Sequence, residues 1–80
     1  MTVNDAVAKR IIKLLSEKKI TQYRLEQDSG ILHGTMSCIL SGKNKTVTLS
    51  TVMMLARGFG ISLIEFLDDD IFRSENLEID

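Results

Sequence analysis

Apolar side chains recur every three or four positions through the first quarter of the chain. Val3, Val7, Ile11, Leu14 and Leu15 form one stripe, widened by Ala8 and Ile12, while Lys9, Arg10, Lys13, Glu17 and Lys18 fill the wet face. That spacing predicts an amphipathic helix, opening near Asn4 or Asp5, both good N-cap types, and fraying near Lys18–Lys19. Thr21 is the next N-cap, for a short helix over Gln22–Asp28 anchored by Tyr23 and Leu25. Ser29-Gly30 ends it, because glycine takes the positive φ that follows a helix. Ile31 points inward. A third helix runs from about His33 to Leu40, with Met36, Ile39 and Leu40 on its apolar side, and stops at Gly42. After the polar loop Gly42–Thr48, Thr48 caps a fourth helix over Leu49–Phe59, whose inward positions are Leu49, Val52, Leu55, Ala56 and Phe59. Ser62 and Glu65 have capping-box spacing and open a fifth helix over Leu63–Leu67. Asp68, Asp69 and Asp70 read as a boundary. Residues 1–67 are then one domain, and 68–80 an acidic tail that is disordered or docks on a partner subunit through Ile71, Phe72, Leu77 and Ile79.

Five short helices make the fold class all-α. The chain has 80 residues, no proline and five glycines, enough for one compact domain and more suited to helices on short turns than to a strand-rich fold. The second and third helices, joined through Gly30, have the spacing of a helix-turn-helix. In that motif one helix crosses the DNA backbone and braces the next in the major groove.

Charge sharpens this picture. Residues 1–63 carry nine basic side chains against four acidic, and residues 64–80 carry one basic against seven acidic. A basic body attracts phosphate, whereas the acidic tail must point away from nucleic acid. Cys38 is the single cysteine, which excludes an internal disulfide and suits a reduced, cytoplasmic protein. The first ten residues lack the apolar core of a signal peptide. No apolar run approaches the roughly 18–20 residues of a membrane span, so no membrane partner is expected. The single histidine, His33, excludes a zinc or catalytic pair built from histidines. With no nucleophile–base set and no phosphate-binding glycine loop, the chain reads as a non-enzyme without cofactor or metal. The aspartate run lacks the spacing and glycine of a calcium loop and reads as a solvated helix end.

The stretch TQYRLEQDSGILHGTMSCILSGK resembles the helix-turn-helix of the phage-repressor-like (Cro and XRE) family, and TLSTVMMLARGFGISLIEFL resembles that family's fourth and fifth helices. The similarity runs from about Ala6 to Leu67, and it is the combination of pieces that is specific. It implies a compact five-helix repressor-like domain. By matching position, Gln22 and Lys43 bind phosphate, Thr35 also faces the backbone, and Asn44 and Lys45 extend the contact along the loop. His33, Gly34, Ser37 and Cys38 fall where the family reads base edges. Each has a plainer alternative: His33 a surface residue, Gln22 an ordinary helix start, Lys43 and Lys45 a solvated loop, Gly34 a tolerated weakness, and Cys38 a small residue or a redox switch. The chain departs from the family in having Leu32 where Ser or Thr usually caps the third helix. It also has Leu15 and Leu40 in place of a buried Arg–Glu pair, a replacement that need not cost stability. Its recognition face holds no Arg, Gln or Asn, the side chains that make bidentate base contacts.

The resemblance implies a small bacterial or phage transcriptional regulator that binds double-stranded DNA, a repressor acting as a homodimer, with the fifth helix and the apolar tail at the dimer interface. Two rivals stand beside it. One is the antitoxin of a toxin–antitoxin pair, with the tail as the segment that masks a protein partner. The other is a helical interaction module that does not bind DNA.

Overall fold

The computed structural model describes residues 1–43, 46–73, 75 and 77–79. Among these residues there are five α-helices: α1 (Val3–Lys18), α2 (Gln22–Ser29), α3 (His33–Ser41), α4 (Leu49–Phe59) and α5 (Leu63–Leu67), followed by a 3-10 turn over Asp70–Phe72. The fold is all-α, and the helices fall where the apolar spacing puts them. Their starts follow from side-chain caps. Thr21, Thr48 and Ser62 each accept a hydrogen bond from the backbone N–H three residues on, satisfying a donor that the first turn leaves free. The start of α1 lies earlier than Asn4 or Asp5. Thr2 is its cap: its Oγ1 accepts from the Asp5 N–H at 3.1 Å, and Asp5 Oδ2 accepts from the Thr2 N–H at 3.3 Å. Asp5 is therefore the reciprocal member of a capping box, and Asn4 is buried.

Every helix contributes to the core. Ile11 of α1, Leu25 of α2, Met36 and Ile39 of α3, Leu55 of α4 and Phe66 of α5 are all but inaccessible to solvent, each burial stabilising by about 1.5–3 kcal/mol. α1 packs chiefly on α3, and α2 on α4. The second crossing is tight at Gly58, where a Cβ would lie 2.8 Å from Ser29 Cβ and 3.0 Å from Leu25 Cδ1.

Four positions differ from the sequence reading. Tyr23 is exposed, because it sits roughly 200° around α2 from Leu25. Ile12 is exposed, one step of about 100° outside the arc of Val7, Ile11 and Leu14. Leu49 is exposed; it opens α4, and helical side chains tilt towards the N-terminus, so it projects past the packed turns. Arg10, assigned to the wet face, is only 7% exposed. It lies three residues after Val7 and four before Leu14, on the buried stripe itself.

Arg10 stitches the C-terminal segment to α1. Its Nε donates to the Phe66 carbonyl at 2.7 Å and its Nη2 to the Glu65 carbonyl at 3.0 Å, which also accepts the Asp68 N–H at 3.2 Å; both are carbonyls of the last turn of α5, where helical partners run out. Its Nη1 reaches Asp69 Oδ2 at 3.3 Å, and Lys13 Nζ meets the same oxygen at 2.7 Å. Beyond this clamp, Phe72 stacks on Phe66 with ring centroids 6.2 Å apart. The backbone N–H of Val3 donates to the Glu78 carbonyl, and that of Glu78 to the Met1 carbonyl, both at 3.0 Å. The described part of the tail thus packs on its own domain, and its apolar residues other than Ile79 are at least partly covered. No helix among the described residues is long and apolar enough to cross a membrane.

Candidate nucleic-acid interface

α2 and α3 meet through a turn in which Gly30 has φ +77°. α3 buries Met36 and Ile39 against the core. At 3.6 residues per turn, the opposite arc then holds His33, Gly34, Ser37, Cys38 and Ser41. Of these, His33, Gly34, Cys38 and Ser41 are exposed and Ser37 is half-buried. The four residues His33, Gly34, Ser37 and Cys38 therefore lie on one arc of the helix. Thr35 is exposed on its flank. Ser41 belongs to the same arc and was not singled out from the sequence; its Oγ donates to the Cys38 carbonyl at 3.3 Å. As the departure at Leu32 implies, the N-cap of α3 makes no side-chain hydrogen bond.

The end of α3 is built to aim Lys43. Gly42 takes φ +76°, its N–H donates to Ile39 O at 3.3 Å, and the Lys43 N–H donates to Cys38 O at 3.0 Å. These are the two bonds of a Schellman turn. They tie down the backbone of Lys43, and its side chain is exposed. Asn44 and Lys45, the remaining loop residues of the sequence reading, lie outside the described residues.

Between α2 and α3 runs a polar chain that the sequence did not reveal. Glu26 is only 9% exposed. Its Oε2 accepts from Gln22 Nε2 at 2.9 Å, and His33 Nδ1 lies 2.9 Å from Oε2 and 3.2 Å from Oε1. His33 Nε2 lies 3.5 Å from Ser37 Oγ. The hydrogen bonds from Gln22 and then from His33 hold the Glu26 carboxyl below the usual carboxylate range, against the opposing effect of burial. One carboxylate thus fixes two side chains, Gln22 at the start of α2 and His33 at the start of α3, and both still face outward. The only signal in the sequence is the four-residue spacing of Gln22 and Glu26 on one helix face.

The acidic run is largely neutralised from within. Asp69 is held by Arg10 and Lys13, while Asp68 and Asp70 are both bound by Arg73. Lys13 is therefore committed to the tail clamp. No curated protein and no solved structure matches the chain. The family model of the Cro/C1-type helix-turn-helix DNA-binding domain matches residues 10–70, a span containing both helices of the motif, and the chain belongs to that family.

Proposed function

We propose that this protein is a transcriptional repressor of the cytoplasm that binds a specific double-stranded DNA site as a homodimer. The observation that carries this reading is the outward arc of α3, exposed apart from the half-buried Ser37 and flanked by Gln22 at one end and Lys43 at the other. In that arrangement α3 lies in the major groove. His33, Gly34, Ser37 and Cys38 approach base edges, with the small side chains allowing close approach. Gln22, at the first turn of α2, offers an amide and a helix N-terminus to one phosphate. Lys43 meets a second phosphate, Thr35 lies along the backbone, and Asn44 and Lys45 continue the contact. The dimer uses exposed apolar side chains of α4 and α5, among them Leu49, Met53, Met54, Ile64 and Leu67, since an interface under two-fold symmetry pairs a surface with itself. Half-sites then repeat at about 34 Å, one turn of DNA.

The packing of the tail bears on the antitoxin alternative. Phe72 packs on Phe66 and the Glu78 backbone pairs with the start of α1, so among the described residues these two parts of the segment are already engaged within the chain. The test of the site assignment is a set of three variants. Lys43→Ala weakens binding to every duplex alike and lowers the salt slope by about one. Gln22→Ala weakens all sequences alike with little change of slope, since an amide displaces no counterion. Ser37→Ala changes which sequence is preferred. If all three altered preference in the same way, the division between phosphate and base contacts would be wrong.

A further inference from the structure

We propose that Glu26 sets which base edge His33 reads, by holding the Nδ1 proton of the ring and leaving Nε2 directed into the groove as an acceptor. The proposal rests on the DNA-binding reading above and adds the chemistry of one contacted base. The argument starts from what a carboxylate can do. Ionised, it only accepts hydrogen bonds. Both oxygens of Glu26 stand within hydrogen-bond distance of His33 Nδ1, at 2.9 and 3.2 Å, and Oε2 also takes the Gln22 amide. The Nδ1 nitrogen must then carry the proton. In a neutral imidazole the second nitrogen is left with its lone pair. The His33 side chain is 76% exposed while Glu26 is buried, so the carboxylate anchors one edge of the ring and the other edge faces outward from the first turn of α3.

An acceptor at that place pairs with the exocyclic amines of the major groove, N6 of adenine or N4 of cytosine, and is repelled by guanine O6 and thymine O4. Protonation of the ring reverses this. Both nitrogens then donate, Nδ1 stays on Glu26, and Nε2 turns to guanine N7 or O6, or to thymine O4. The groups that face the ring are few. The described residues lining the cleft with it are Tyr23, Glu26, Gln27, Gly30, Ile31 and Leu32, of which Glu26 is the one that bonds to the ring. Ser37 on α3 itself approaches Nε2. Acidic side chains are otherwise poor company for DNA phosphate. Here the carboxylate is turned inward, and its function is to fix the ring.

His33 is the only histidine, so its tautomer is read without assignment ambiguity. Long-range proton–nitrogen correlation of the full chain at pH 8 is expected to show a protonated Nδ1 and an unprotonated Nε2; a predominantly Nε2–H ring would overturn the proposal without any variant being made. In Glu26→Ala, with helix content unchanged by circular dichroism, the Nδ1–H preference is expected to be lost. Duplex selection at pH 8 is expected to give wild type roughly a fivefold preference for adenine or cytosine at one position per half-site. That preference should vanish in Glu26→Ala. An unchanged base profile in Glu26→Ala, with duplex binding intact, overturns the role of Glu26 alone. Absence of duplex binding by wild type overturns the DNA reading and the base preference with it, and leaves the tautomer result standing.

Discussion

Two glycines inside helices, Gly34 and Gly58, are predicted to respond in opposite directions to the same substitution. In each case alanine brings a helix-propensity gain of about 0.8–1 kcal/mol. At Gly34 nothing lies within 4 Å of the new Cβ, so the gain is kept. At Gly58 the methyl would stand 2.8 Å from Ser29 Cβ, 3.0 Å from Leu25 Cδ1 and 3.1 Å from Ser29 Cα. Carbon atoms prefer about 3.5–4.0 Å, which leaves a shortfall of about 0.7 Å against the nearest one. Two of the three neighbours belong to Ser29 Cα and Cβ, which no rotamer change can move away, so α2 and α4 must part. Overpacking costs about 1–3 kcal/mol; against backbone-anchored atoms that cannot rotate away the upper part of that range, about 2–3 kcal/mol, applies, and the propensity gain offsets only part of it. We predict a net loss of about 1–2 kcal/mol for Gly58→Ala. For a domain of this size that lowers Tm by about 5–15 °C, whereas Gly34→Ala raises it by about 4–8 °C. Thermal unfolding followed by circular dichroism measures both, and urea titration checks that the slope with denaturant is unchanged. A Gly58→Ala protein as stable as wild type would refute the argument that close approach of α2 to α4 requires glycine.

Other consequences are independent of that crossing. Leu32 caps α3 without a side-chain bond and is 77% exposed, so Leu32→Thr should stabilise by about 1 kcal/mol, visible as a raised urea midpoint. Arg10→Met keeps the buried stem and removes the donors to Glu65, Phe66 and Asp69. It should cost about 2–4 kcal/mol, measured by urea unfolding; a loss below half of that would mean the clamp is ornamental. The Asp69 carboxyl is held below its usual range, first by the Ile71 N–H and then by Lys13. A depressed carboxylate stabilises fully above the unfolded value near about 3.9, and that contribution disappears as pH falls through the lower folded value. Asp69→Asn should therefore flatten the stability–pH curve below about pH 4, and an unaltered curve would contradict the clamp.

The helices were legible in the sequence because their signals are local. Threonine and serine caps, glycine stops and three- or four-residue apolar spacing place every helix to within about two residues, and the outward arc of α3 follows from Met36 and Ile39 alone. What escaped depends on neighbours distant in the chain. Arg10 was assigned to solvent by residue type, although its place between Val7 and Leu14 puts it on the buried stripe; only α5 and Asp69, more than fifty residues away, supply its partners. Glu26 looks like any charged residue of a short polar helix until α3 brings His33 against it. Gly58 gives no sign, within α4, of the α2 backbone it meets. The tail was read as disordered or docked on a partner subunit because its acidity resembles a solvated end, yet Arg10, Lys13 and Arg73 pair with Asp68, Asp69 and Asp70 and Phe72 packs on Phe66.

The central claim is that the α2–α3 surface binds duplex DNA with sequence preference as a two-fold dimer. Selection from a random duplex library, with the enriched duplexes titrated at low and moderate salt, tests it most directly. The account predicts an enriched inverted repeat with half-site centres about 10 base pairs apart, bound with an affinity that falls steeply as salt rises. No enrichment, together with binding that is absent or insensitive to salt, would contradict it.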